Sequence, residues 1–221
     1  MATSADTPAP PNQRRVLALV ATLVIVGALA TAVLAAVANF TRARIERNEQ
    51  AWIQQHLDAL VPPQSHDNDL LTDVIDVVSP QLLGTARPVR IYRARRGGAP
   101  VAAVIRSVAP DGYRGPIELL VAIANDGSLL GVRVLRHNET PGLGDAFERR
   151  VPHWLDAFKG RSLSNPPQQR WTVRKDDGDF DAFTGATITP RAIVKAVRRT
   201  LEYYQANRDR IFRDPPRNDT R

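Results

Sequence analysis

Cysteine is absent from the 221 residues. Disulfides, thiolate-built zinc sites, iron–sulfur ligation and a thiol nucleophile are therefore excluded, and any redox chemistry must use an organic cofactor or one held by other side chains. The Gly-x-x-x-x-Gly-Lys-Ser/Thr signature of NTPase phosphate loops is also missing. No internal repeat or long low-complexity tract is present, which favours one ordinary domain with appendages. Hydrophobic residues at 43% and charged residues at 24% describe a globular chain. The net charge of +7 would suit nucleic acid or an anionic membrane. It is spread along the chain, and the next feature argues against a nucleic-acid partner.

Residues 16–41 contain no charged side chain and are dominated by Leu, Val, Ile and Ala. A bilayer core needs roughly 20 apolar helical residues, so this run is expected to span a membrane. Ala36-Val37-Ala38 has the look of a signal cleavage site, and Arg14-Arg15 that of a twin-arginine signal. The run is nevertheless longer than the about 7–15 residues of a signal's apolar region, and an uncleaved anchor is the expectation. Arg14 and Arg15 flank one end, and Arg42, Arg44 and Arg47 the other, offset by Glu46 and Glu49. The charge count therefore leaves the orientation open.

Ile45, Trp52, Ile53, Leu57 and Leu60 recur at helical spacing until Pro62-Pro63, which predicts an amphipathic extension of the anchor. A short strand is predicted over 73–78. Two hairpins follow, 89–95 with 101–108 around Gly97-Gly98, and 117–124 with 130–136 around Asn125-Asp126-Gly127-Ser128. A helix is expected from Asp145, bent at Pro152 and ending near Gly160, then a short strand over 171–173. Ile193, Val197, Leu201 and Tyr204 line one face of a last helix. The expected organisation is a tail (1–15), a membrane helix (16–41), a helical extension (42–63), an α+β domain (64–213) with an antiparallel sheet and flanking helices, and a loose tail (214–221).

The chemistry is expected in Asp181-Ala182-Phe183-Thr184-Gly185-Ala186-Thr187-Ile188-Thr189-Pro190. Small neighbours open the turn around a hydroxyl. Thr189-Pro190 reads as an N-cap followed by proline at the first helical position, and a helix start favours a phosphate. The turn could equally do no more than cap a helix. Asp176, Asp177, Asp179 and Asp181 could present a metal to a phosphoryl group, although a solvated acidic loop explains them more simply. His137 and Glu139 lack a third metal ligand, and His56 and His153 read as structural. Thr187, being internal, has no amino terminus to activate it for hydrolysis.

Three motifs occur in order, and here the chain resembles a family. Residues 181–187 resemble the flavinylation motif Asp-x-x-Ser/Thr-Gly-Ala-Thr of membrane-anchored FMN-binding domains. His137-x-Glu139-Thr140-Pro141-Gly142-Leu143-Gly144 and Gly112-Tyr113-x-Gly115-Pro116-Ile117 resemble two further segments of that domain. The likeness is strongest to the G-subunit family of Rnf-type ion-translocating electron transport complexes, relatives of the C subunit of sodium-pumping NADH:quinone oxidoreductases. The resemblance implies FMN joined to Thr187 by a phosphoester, with Thr184, Gly185 and Ala186 forming the turn and Glu139, Thr140, Gly142, Leu143 and Gly144 bordering the flavin. It also implies a redox subunit rather than a stand-alone enzyme. Its partners would be the other membrane subunits of the complex and, during maturation, an FAD-dependent flavin transferase. The soluble domain would lie on the periplasmic side of the bacterial inner membrane. The alternative is an anchored assembly module without redox chemistry.

Overall fold

The computed structural model describes residues 13–213. Most of the expected N-terminal tail and all of 214–221 lie outside the described residues. Contacts divide the chain into two units, Met1–Ala51 and Trp52–Arg221. The first helix, α1 (Gln13–Leu60), runs unbroken through Ala36-Val37-Ala38. Within it Arg15–Ala38 is long and apolar enough to cross a membrane; its 24 residues correspond to about 36 Å at 1.5 Å per residue. Large apolar side chains from Val16 to Phe40 are exposed all round this part of the helix, as a helix solvated by lipid requires.

The second unit is an α+β fold around a five-stranded antiparallel sheet in the order β1-β2-β3-β4-β5. The strands are β1 (Val74–Val77), β2 (Val89–Arg96), β3 (Ala99–Ala109), β4 (Ile117–Ala124) and β5 (Leu129–Arg136). Both predicted hairpins form. The first turns at Gly97-Gly98, and in the second the Gly127 amide closes on the Ala124 carbonyl at 2.9 Å.

Both faces of the sheet are covered, as its alternating residues require. Tyr92, Ala94, Ala102, Val104, Leu120 and Ala122 meet Ile53, Leu57, Leu60 and Val61 from the end of α1. The alanines let the helix come close. Trp52, expected on this face, is exposed and packs on the His56 ring instead; the apolar stripe is the 53, 57, 60 set. On the other face Ile91, Ile105, Leu119, Val121 and Ile123 meet Ile193, Val194, Val197, Leu201 and Tyr204 of α4 (Ile188–Arg213), the face read from the sequence.

Two expectations are corrected. The helix foreseen over 145–160 is broken rather than bent. It divides into α3 (Ala146–Arg149) and a 3-10 turn (Trp154–Phe158), because Pro152 supplies no amide and disfavours helical geometry at Val151. The strand foreseen over 171–173 is reduced to one bridge between Val173 and Phe180, with Trp171 drawn into an aromatic cluster with Phe158 and Phe180. A four-residue helix, α2 (Pro80–Leu83), ends on left-handed Gly84 and has no counterpart among the elements expected from sequence.

The far end of α4 is fastened by two arginines of β2. Arg93, fully buried, donates to the Ile211 carbonyl at 2.9 Å and pairs with Asp73. Arg95 donates to the Phe212 carbonyl at 2.8 Å and to Asp73 at 2.8 Å. Guanidinium groups at the negative end of a helix satisfy its last carbonyls and complement its dipole.

Candidate functional site

The turn before α4 is built by its apolar member. Phe183 is buried against Trp154 and Phe147, with ring centroids 5.1 and 6.2 Å away. The Trp154 indole donates to the Asp181 carbonyl at 2.8 Å. The turn closes with the Ala186 amide on the Phe183 carbonyl at 3.0 Å, and Gly185 takes φ +81° at its third position, where a side chain would be strained.

The helix begins two residues earlier than its sequence signals suggest. Its first residue is Ile188, and the Arg191 amide bonds the Thr187 carbonyl at 3.2 Å. Thr187, not Thr189, is therefore the N-cap, and Pro190 occupies the third helical position. An N-cap hydroxyl normally accepts from the second or third helical amide, and Pro190 has none. Among the described residues the Thr187 hydroxyl makes no hydrogen bond within the protein, and its side chain is half-buried. The Ile188 and Thr189 amides, first in the helix, likewise have no backbone acceptor.

A cavity of about 180 Å³ opens at this point, lined by Tyr113, Glu139, Thr140, Leu143, Gly144, Gly185, Ala186, Thr187, Ile188 and Thr189. Seven of the nine residues singled out in the sequence thus come together. Thr184 and Gly142 are exposed and outside the lining, the Gly142 amide held by Asp145 at 2.6 Å. Tyr113, Ile188 and Thr189 are additions. Tyr113 lay inside a motif already recognised, whereas Thr189 had been assigned to capping.

Glu139 is the largest revision. Its buried carboxylate does not simply face the cavity. One oxygen accepts the Arg114 amide at 3.1 Å, and the other accepts the Thr189 hydroxyl. A Cβ at Gly144 would fall 2.6 Å from Glu139 Oε2, and one at Gly112 would fall 3.0 Å from Oε1. Gly144 is the clearance for this carboxylate, and Gly112, whose Cβ would first strike the Gly115 carbonyl at 2.2 Å, adds to it. The 112–117 and 137–144 segments and the start of α4, separate in sequence, are joined through it.

The acidic residues near the site are committed to arginines. Asp179 meets Arg170 and Arg161 at 2.5 and 3.8 Å, Asp181 meets Arg174 at 3.1 Å, and Asp176 meets Arg191 at 2.6 Å. These pairings argue against the metal-presenting reading, while Asp176, Asp177 and Asp181 remain exposed to solvent. The hydrogen bond from Arg191 holds the Asp176 carboxyl below its ordinary range. A depressed carboxylate stabilises the fold above its ordinary pKa of about 4, and the contribution is lost as pH falls through the lowered value. The difference in melting temperature between the native chain and Asp176→Asn should be constant from about pH 7 to about pH 5 and should close below about pH 4.

Residues 112–202 match the family model of an FMN-binding domain, and this stretch contains all three converging motifs. The G subunit of an ion-translocating oxidoreductase complex from Shewanella loihica is 46% identical over 187 residues, 85% of this chain and 88% of that protein. The corresponding G subunit from Vibrio cholerae is 43% identical over 193 residues, 87% and 92% of the two chains. The chain belongs to this G-subunit family. A third member, from Pseudoalteromonas atlantica, is 49% identical over 172 residues, 78% and 80% of the two chains.

The residues of this FMN-binding domain suit that cofactor. Helix-start amides and the positive end of α4 suit a phosphate, and Tyr113, Leu143 and Ile188 offer exposed apolar surface to a ring. A site enclosing a drug-sized ligand has about 300–1,000 Å³. The 180 Å³ here is smaller than that, enough for part of such a ligand.

Proposed function

We propose that this chain carries FMN on Thr187 through a phosphoester and relays electrons between other subunits of an ion-translocating oxidoreductase complex. Residues 16–41 would serve as an uncleaved inner-membrane anchor, residues 42–63 as its helical extension, and residues 64–213 as a domain on the periplasmic side. The observation that carries the reading is the Thr187 hydroxyl. It lies in the cavity at the start of α4 without a hydrogen-bond partner among the described residues, and Pro190 removes one of the two amides that would usually cap it. Thr184 lies outside the cavity lining, and the Thr189 hydroxyl is spent on Glu139, so the geometry favours Thr187 among the three.

In forming the linkage, Thr187 Oγ1 attacks the phosphorus of the FMN half of FAD, bound by a flavin transferase. The pyrophosphate bond breaks, AMP leaves, and the hydroxyl proton passes to solvent. Thr184, Gly185 and Ala186 keep the acceptor open. Thr140, Leu143 and Gly144 form the opposite wall, with Gly142 in the turn beside it, and a Cβ at Gly185 would touch Leu143 at 3.7 Å. Bound FMN supplies the redox chemistry, and the protein contributes orientation and surroundings. The exposed apolar mouth leaves the ring within reach of partner subunits.

Mass spectrometry of the chain from native membranes tests the reading. The peptide containing Thr187 is expected to carry FMN less one water, and an unmodified peptide would support the assembly-module alternative.

A further inference from the structure

We infer that Thr189 is a positioning residue for flavin attachment, holding the amide that receives the phosphate. The inference rests on the flavin reading and assigns a task that the attachment motif itself does not contain. Of the first three helical positions after Thr187, the third is Pro190 and offers no donor. A group on an N-cap side chain is normally met by the second and third amides. The second, that of Thr189, is the remaining donor at a capping position, helped by the Ile188 amide ahead of it.

A helix end frays unless something holds it. Thr189 is held through its side chain, which is fully buried and donates its hydroxyl to Glu139 Oε2. Glu139 is held in turn by the Arg114 amide at 3.1 Å, and Gly112 and Gly144 leave it room. The amide of Thr189 is left without a backbone acceptor among the described residues while its side chain is locked to Glu139. A hydrogen bond to a charged partner is among the stronger ones, and its loss frees the first turn to misaim its amides. The bond also keeps the Thr189 hydroxyl from competing with Thr187 as an acceptor.

The test is the rate of flavin loading onto full-length chain in detergent, using purified flavin transferase, FAD and magnesium. Loading is read by in-gel fluorescence and by the mass of the Thr187 peptide, with thermal melting recorded for every variant. Thr189→Val, similar in shape but without the hydroxyl, should load at least about tenfold more slowly. Thr189→Ser should restore the rate to within about threefold, a rescue that loss of packing alone would not give. Should the valine variant fail to melt cooperatively, Glu139→Gln provides the second route. It keeps side-chain size and an acceptor for Arg114, and should also slow loading. Combining it with Thr189→Ala, which also deletes the hydroxyl, should slow loading little beyond the slower of the two single variants, because both changes act on one bond. Folded Thr189→Val loading at the native rate, or effects of the two positions that multiply, would overturn the inference while leaving Thr187 as the attachment point. A native chain that takes up no flavin would overturn both.

Discussion

Replacing Thr187 with alanine is expected to abolish covalent flavin while leaving the fold intact. The usual cost of removing an N-cap threonine is about 0.5–2 kcal/mol, because a side chain-to-amide bond is lost. Here no such bond is made within the protein, Pro190 having removed the usual third-position donor. The variant should lie within about 0.5 kcal/mol of the native chain, as for a surface change away from packing. Thr187→Ser keeps the hydroxyl and should still accept flavin, and Thr184→Ala should load normally. In-gel fluorescence under denaturing conditions decides the matter. Fluorescence surviving in Thr187→Ala would place the attachment elsewhere.

Arg93→Ala should have the largest effect on stability, with flavin attachment affected only through unfolding. The side chain is fully buried and serves both the Asp73 carboxylate and the Ile211 carbonyl. Truncation strips Asp73 of one of its two arginines and uncovers the end of α4. Removing one partner of a buried ion pair costs about 3–5 kcal/mol, which for a protein of this size corresponds to a fall in melting temperature of about 6–20 °C. Arg93→Met with Asp73→Asn should recover part of the loss, since a neutral amide is cheaper to leave in place than a carboxylate. Near-UV circular dichroism of full-length protein in detergent measures both. A fall below about 2 °C for Arg93→Ala would mean that Arg95 alone supports this end of the helix.

The elements that followed from short-range chemistry were legible in the sequence. Both hairpins carry β-branched strands around glycine-bearing turns, and α4 shows an uninterrupted 3.6-residue stripe. The errors arise where several local rules permit more than one outcome. Proline at a helix start fits any of the first positions, since none of those amides has an intrahelical partner. The sequence therefore could not distinguish Pro190 in the first position from Pro190 in the third. That two-residue difference moves the cap from Thr189 to Thr187 and changes what each hydroxyl does. Trp171 has strand propensity, yet the aromatic cluster offers it more burial than one more strand would. Glu139 was recognised through its motif, but its partners come from residues 25 positions before and 50 after it, beyond any pattern along the chain. For the same reason the arginine partners of the acidic loop went unforeseen.

The small cavity also bears on how tightly this site needs to grip its cofactor. A free flavin would have to be captured from dilute solution, which takes a deep pocket and a large contact area. A flavin tethered at Thr187 sits at an effective concentration on the order of millimolar for a short flexible linkage. At that concentration a weak, open contact such as Tyr113, Leu143 and Ile188 offer would be enough to keep the ring seated. On the proposed reading, a bond at Thr187 would replace the missing walls and would leave the side of the flavin that a pocket would have covered free for electron exchange.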